Sequence, residues 1–217
     1  MKKYRIYLHR LKMSDFIRVH SDKPWLVPLG ILLRLFRPRF FESEQLYQSA
    51  VFDTDEKTVR GDGLALVVSK EAPLIAHGYR RVGLNLYRPP SGKIFLLGSL
   101  LYSPEERTMA TVGISFASNG QLIQGWSGLI TQVAVDRYMI TSDVRGRFPD
   151  PVYVDNCPSV RGCGEKLIEA HANRIRGMER GWVDLTDTQV REEHVRRIER
   201  NYHYFHDLGI YGPLEPA

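Results

Sequence analysis

The chain has 217 residues, of which 43% are hydrophobic and 25% charged, so its composition excludes global disorder and favours a single globular domain over residues 1–217. Two cysteines are too few for the disulfide framework of a typical secreted protein, and we therefore expect reduced thiols and a cytoplasmic location. One Cys157–Cys163 bridge that closes a short loop is the alternative.

The formal net charge of +5 is distributed unevenly along the chain. Residues 1–40 contain ten lysines and arginines against two aspartates, a net charge of +8, which leaves −3 for the rest of the chain. A strongly basic leader before a mildly acidic body favours an anionic partner, either a membrane surface or a nucleic acid. A solvated basic surface without a partner is the alternative.

Residues 1–60 are predicted to form a basic, helical N-terminal segment. Apolar residues recur at helical spacing over residues 4–19, which predicts an amphipathic helix. A second helix is predicted over about residues 29–36, and it would end there because Pro38 follows. Residues 42–52 are predicted to form a short helix or an irregular connection.

Residues 25–41 concentrate bulky apolar side chains among arginines. Their uncharged run is too short for a transmembrane helix, which needs about 20 apolar residues, and its surroundings do not fit a signal peptide. An interfacial helix has this composition, since apolar groups enter the acyl boundary and basic groups meet anionic headgroups. A buried helix whose arginines extend to water is the alternative. The predicted contact residues are Trp25, Leu29, Leu32, Leu33, Arg34, Phe36, Arg37 and Arg39.

From Gly61 onwards the pattern of apolar residues becomes typical of strands. Segments rich in β-branched and aromatic residues lie between turn residues at 63–69, 79–87, 93–102, 108–117, 121–126 and 134–141. Short consecutive strands with tight turns predict an antiparallel meander of five to six strands over residues 61–142, because parallel strands need long crossovers. Asn119-Gly120 predicts a type I′ hairpin turn.

Residues 143–164 are predicted to form a loop, and residues 165–209 to be helical. Two helices are expected there, and the second begins at a capping box of Thr186 and Gln189 and ends at Gly209. Strands followed by helices, without alternation, indicate an α+β fold in which the two C-terminal helices pack on one face of the sheet.

The candidate catalytic residues are Cys163, His203 and His206. Cys163 precedes a predicted helix, whose N-terminus favours a thiolate. His171 lies about 12 Å further along that helix, beyond reach as a base, and its apolar neighbours predict a hydrogen-bonded histidine at the edge of the core. Cys157 and Cys163 lack the second ligand pair of a structural zinc site.

Two other patterns have structural explanations. His203 and His206 lie on one side of the last helix, where half-buried packing explains them better than a metal site does. Ser127, in QGWSGL, departs from the G-x-S-x-G nucleophile motif, which also requires a strand-to-helix turn in a parallel sheet. We expect no metal and no cofactor.

These observations favour a non-catalytic binding or interaction module. Its basic, apolar N-terminal segment would contact an anionic membrane surface or a protein partner through residues 25–41, which gives a cytoplasmic, membrane-peripheral location. One alternative is an enzyme with a pocket between the sheet and the C-terminal helices. Another is nucleic-acid binding through residues 1–40, although no recognised module signature is present there.

Overall fold

The computed structural model describes residues 2–7, 10–12, 14, 17, 25, 28, 31–32, 42–47, 54, 59, 61–87, 94–144, 150–158 and 164–216. The chain divides into two compact units. The terminal unit comprises Met1–Ser49, Gly146–Pro151 and Val195–Ala217, and the sheet unit comprises Ala50–Arg145 and Val152–His194. That the whole chain forms a single domain stays a prediction.

The helices and strands follow one another in a simple order along the described chain. They are β1 (Lys2–Tyr7), β2 (Glu42–Tyr47), α1 (Gly61–Ala76), β3 (Arg80–Tyr87), β4 (Ile94–Ser103), β5 (Thr108–Ala117), β6 (Leu122–Ala134), β7 (Arg137–Ser142), β8 (Val154–Pro158), α2 (Glu165–Ile175), α3 (Asp187–Asp207) and β9 (Glu215–Pro216). The sheet precedes the two C-terminal helices, which confirms the predicted α+β class.

Among the described residues of the sheet unit, six strands form one sheet in the order β3-β4-β5-β6-β7-β8. Neighbours from β3 to β7 are antiparallel, as the meander prediction requires. The last pair differs, because β8 runs parallel to β7 and lies within the segment that was predicted to be a loop. Residues 143–153 provide the connection that a parallel pair needs.

The first predicted strand is wrong, because residues 63–69 belong to helix α1. Val67, Glu71 and Leu74 are each at most 2% exposed, and their spacing of four and three residues is that of a helix face. Two of these three positions follow residue 69, so the short apolar run by itself is compatible with either structure. The helical period appears only in a longer window.

Helices α1 and α2 cover one face of the sheet. Their apolar contacts form a core of Val67, Leu74, Tyr79, Leu84, Leu97, Leu101, Ala110, Val112, Ile114, Leu129 and Leu167. Part of the opposite face is also buried, because Tyr138 lies an odd number of residues from Thr141 on β7 and its ring packs against Trp182 with a centroid distance of 6.1 Å. Both faces of the sheet therefore contribute buried side chains.

The β5–β6 hairpin confirms a turn at Asn119-Gly120 but not its type. The Gly120 N–H donates to the Ala117 carbonyl (2.9 Å), and Gly120 has a φ of 84° whereas Asn119 has no positive φ. A type I′ turn requires positive φ at both central residues, so the turn-type prediction is wrong. The connection is a three-residue loop with glycine in the left-handed position.

In the terminal unit, β1 lies between β2 and β9 and pairs with both in the antiparallel sense. The predicted helix over residues 4–19 is therefore wrong for residues 4–7, and the prediction for residues 42–52 is wrong for Glu42–Tyr47. Basic and apolar residues alternate at residues 3–6, which is the period of a strand. Ile31 and Leu32, within the second predicted helix, are helical.

Helix α3 begins at the predicted capping box. The Thr186 N–H donates to Gln189 Oε1 (2.9 Å), and the Gln189 N–H donates to Thr186 Oγ1 (3.3 Å). This reciprocal pair satisfies two backbone donors that the helix itself leaves unpaired. Gly209 follows the helix with a φ of 68°, the left-handed conformation expected of a C-terminal glycine.

Candidate functional site

Large apolar side chains of the N-terminal segment face solvent. The exposed fractions are 70% for Trp25, 47% for Ile31 and 49% for Leu32. Of the predicted contact residues, the structure thus describes two, and it places both at the surface of the described chain. The others lie outside the described residues; they are Leu29, Leu33, Arg34, Phe36, Arg37 and Arg39.

The exposed residues contrast with an apolar residue of the same segment that is buried. Leu11 is 2% exposed and packs with Phe205 and Ile210 in a small core of the terminal unit. Among the described residues of the leader, Leu11 thus belongs to this core, whereas Trp25 and Leu32 are exposed. Exposed apolar groups of this size are typical of contact surfaces when they cluster.

Exposure alone does not distinguish the N-terminal segment, because the sheet unit also exposes large apolar residues. Leu122 and Ile123, at the start of β6, are 49% and 53% exposed. What distinguishes residues 1–40 is their charge, since ten basic residues lie among the apolar ones. Lys12 and Arg10 are both exposed, although Arg10 also donates to the Gly209 carbonyl (2.9 Å).

Of the catalytic candidates, the structure describes His203 and His206. His203 and His206 are exposed on α3, and both rings lie beside Tyr202, at centroid distances of 5.4 and 5.8 Å. Cys163 lies outside the described residues, and Cys157 is a free, exposed thiol. In the described ranges, no group of three or more His, Cys, Asp or Glu side chains is placed to hold a metal ion.

His171 is buried in the sheet unit, between α2 and the sheet. It is 2% exposed, and its two ring nitrogens lie 2.9 Å from the hydroxyl oxygens of Thr131 and Thr141. Burial, together with the nearby positive charges of Arg174 and Arg180, lowers the pKa of His171 from 6.5 to about 3. The imidazole is therefore neutral at neutral pH and is fully engaged by its neighbours.

Sequence reasoning missed the threonines that surround His171. Thr108, Thr131 and Thr141 are fully buried on three neighbouring strands, at positions that face the helices. The Thr108 and Thr131 hydroxyls are 2.6 Å apart, and Arg174 Nη1 donates to Thr141 (2.8 Å). The sequence does contain one signal, which is a threonine at strand positions where the pattern expects an apolar residue. A buried threonine needs a hydrogen-bond partner, and a histidine on the helix that covers the sheet can provide one.

A second polar group, around Ser127, also escaped the sequence prediction. Ser127 is 2% exposed, and in the described structure its hydroxyl has no hydrogen-bond partner. Its N–H donates to Asp143 Oδ1 (2.6 Å), and Lys70 Nζ lies 3.8 Å from Asp143 Oδ2.

Within the described residues, none of the helices combines the length and the apolar character needed to cross a bilayer. Comparison of the chain with protein-family models, with curated proteins and with solved structures found no match.

Proposed function

We propose that this protein is a non-catalytic binding module whose N-terminal segment contacts the surface of an anionic membrane through residues 25–41. The observation that carries the proposal is the 70% exposure of Trp25, together with the exposure of Ile31 and Leu32 in the same segment. A tryptophan is well suited to the membrane interface, because its ring is apolar and its N–H can reach the headgroups. The described residues of the segment thus present interfacial side chains outward.

Charge favours a membrane over an apolar protein groove as the partner. Residues 1–40 carry a net charge of +8, and each basic residue close to an anionic bilayer contributes about 1 kcal/mol of attraction. Apolar burial alone would bind neutral and anionic lipid equally. The combination of exposed apolar and basic residues therefore predicts binding that requires both kinds of contact.

Co-sedimentation of the full chain with vesicles tests this proposal. Vesicles of phosphatidylcholine and phosphatidylserine should sediment the protein, vesicles of phosphatidylcholine alone should not, and salt should weaken the binding. Replacing three basic residues together (Arg34→Gln, Arg37→Gln and Arg39→Gln) should weaken binding at least about 100-fold, since about 3 kcal/mol is lost.

A matched pair of apolar variants separates the proposed surface from general exposed hydrophobicity. Trp25→Ser with Leu32→Ser should weaken vesicle binding at least about 10-fold, because the apolar area that enters the bilayer is lost. Leu122→Ser with Ile123→Ser changes two other exposed apolar residues, which belong to the sheet unit, and should leave binding unchanged. Absence of the parent protein from both vesicle pellets would overturn membrane binding and leave a protein partner for the same residues.

A further inference from the structure

The buried threonines and His171 form a hydrogen-bond chain with a definite direction. At one end the Thr108 hydroxyl donates to the Glu106 carbonyl oxygen (2.9 Å). A hydroxyl has one proton, so the Thr108 oxygen must accept from Thr131 across the 2.6 Å that separates them. Thr131 has then used its own proton and accepts from His171 Nε2–H (2.9 Å).

The other end of the chain assigns the second ring nitrogen. A neutral imidazole donates from one nitrogen and accepts at the other, so Nδ1 accepts from the Thr141 hydroxyl (2.9 Å). Arg174, which can only donate, completes the chain at the Thr141 oxygen (2.8 Å). Each proton of the chain between Arg174 and the Glu106 carbonyl thereby has an acceptor, which requires the neutral ring with its proton on Nε2.

A proton added to Nδ1 disrupts this chain. The Thr141 oxygen has two lone pairs and can accept from both His171 and Arg174, but the hydroxyl proton of Thr141 then loses its acceptor at the ring. The protonated ring would also repel two cations, Arg174 and Arg180. The folded arrangement thus disfavours the imidazolium through hydrogen bonding as well as charge.

Charged groups on the surrounding elements are already paired. Arg174 lies 2.9 Å from Asp155 of β8, and Arg180 lies 2.9 Å from Glu106 in the β4–β5 turn. On α1, which packs against α2, Lys70 pairs with Asp143 and Glu71 pairs with Arg81. Tyr79 bonds to Thr108 through its hydroxyl. These acidic groups therefore already have cationic partners, and the elements nearest His171 present it with hydroxyls.

Helix α2 is a short element with glycines at both ends. It has 11 residues, and no side chain caps its N-terminus. Gly164 and Gly177 flank it, each with a φ of 75°, so the chain on either side can turn with little resistance. A helix of this length is marginal alone and depends on tertiary packing, here through Leu167, His171 and Ile175.

We propose that His171 makes α2 an acid-released element, which detaches from the sheet as the pH falls below neutrality while the strands remain paired. An opened α2 exposes His171, which then binds a proton with the ordinary pKa of 6.5, whereas in the closed state its pKa is about 3. The stabilisation of the closed state is complete above pH 6.5 and declines as the pH falls from 6.5 towards 3. This inference is independent of the proposed membrane contact.

Hydrogen exchange of the full chain, followed by mass spectrometry and corrected for the pH dependence of intrinsic exchange, tests the proposal. Between pH 7.5 and pH 5, protection of a peptide covering residues 165–176 should fall about 30-fold, which is the ratio expected for this pKa difference. Protection of a peptide covering β5 should fall much less. Equal losses in both peptides would indicate global unfolding and overturn local release.

Two histidine variants make the result specific. In His171→Gln the amide can donate to Thr131 and accept from Thr141 but does not titrate in this range, so α2 protection should become independent of pH. His77→Gln changes an exposed histidine of the same unit and should behave like the parent protein. An undiminished loss of α2 protection in His171→Gln, or its absence in the parent, would overturn the proposal.

Discussion

The sheet unit buries polar side chains, whereas the N-terminal segment exposes large apolar ones, and both are exceptions to the usual distribution of polar and apolar residues. The sheet unit buries Glu71, His171 and three threonines, and each has a hydrogen-bonding or ionic partner. The N-terminal segment exposes Trp25 and Leu32. Buried polar groups require partners to exist at all, whereas exposed apolar groups cost the folded state little. The buried polar residues of the sheet unit therefore concern the stability of the fold, and the exposed apolar residues of the N-terminal segment concern contact with a partner.

The largest expected effect is at Glu71, which is fully buried and forms a two-pronged ion pair with Arg81. Glu71→Ala should lower the free energy of unfolding by about 3–5 kcal/mol, because the partly buried Arg81 loses the carboxylate that forms both prongs of the ion pair. Urea denaturation measures this loss. Glu169→Ala, at an exposed position on α2, is the control, and equal results for the two variants would contradict a structural role for the pair.

A smaller loss of unfolding free energy is expected for a substitution at Thr141. Thr141→Val keeps the shape of the side chain but removes the hydroxyl that links His171 and Arg174, so it should cost about 1–3 kcal/mol in the same denaturation experiment. Thr111→Val, at a half-buried position on the opposite face, provides the comparison and should change stability less. If Thr141→Val is neutral, the hydrogen-bond chain does not stabilise the fold.

The capping box of α3 should contribute less to the free energy of unfolding than the Thr141 hydroxyl does. Thr186→Ala removes the hydroxyl that accepts from the Gln189 N–H and should cost about 1 kcal/mol. Thr188→Ala, two residues further on, should instead be neutral or slightly stabilising, because alanine is the better helix former. A shift of the thermal midpoint in the same direction for both variants would argue against the cap.

The smallest effect on stability is expected at Trp25. Trp25→Ser should change the free energy of unfolding by less than about 0.5 kcal/mol, as is usual for exposed positions, even though vesicle binding should fall. Denaturation and co-sedimentation of the same preparation separate the two quantities. A loss above about 2 kcal/mol would place Trp25 in a core and remove the contrast between the two regions.

Local sequence patterns predicted elements whose signals are complete within a short window. The strand over residues 108–117 and the capping box at Thr186 match the structure, since alternation and capping involve near neighbours. The helix α1 was mistaken for a strand because its buried positions extend beyond the apolar run, and β1 was mistaken for a helix because six residues fit both periods. The secondary structure of a short segment therefore depends on the tertiary contacts that it makes.

The candidate surface can be proposed from local composition, whereas the buried hydrogen-bond network cannot. The composition of residues 25–41 predicts an interfacial segment from the sequence alone, and the structure places Trp25 and Leu32 at the surface of the described chain. No spacing rule connects Thr108, Thr131, Thr141 and His171, which lie up to 63 residues apart in the sequence. The register of neighbouring strands aligns the three threonines, and the packing of α2 on the sheet brings His171 to them.

The sequence by itself determined the class of fold, the basic charge of the leader and the caps of the last helix, because composition and near-neighbour spacing encode them. The tertiary structure decided that β8 joins the sheet in the parallel sense, that α1 buries Glu71, and that His171 is held neutral among threonines. Each of these depends on residues far apart in the chain, whose partners are chosen by packing and by the cost of leaving a buried polar group unpaired.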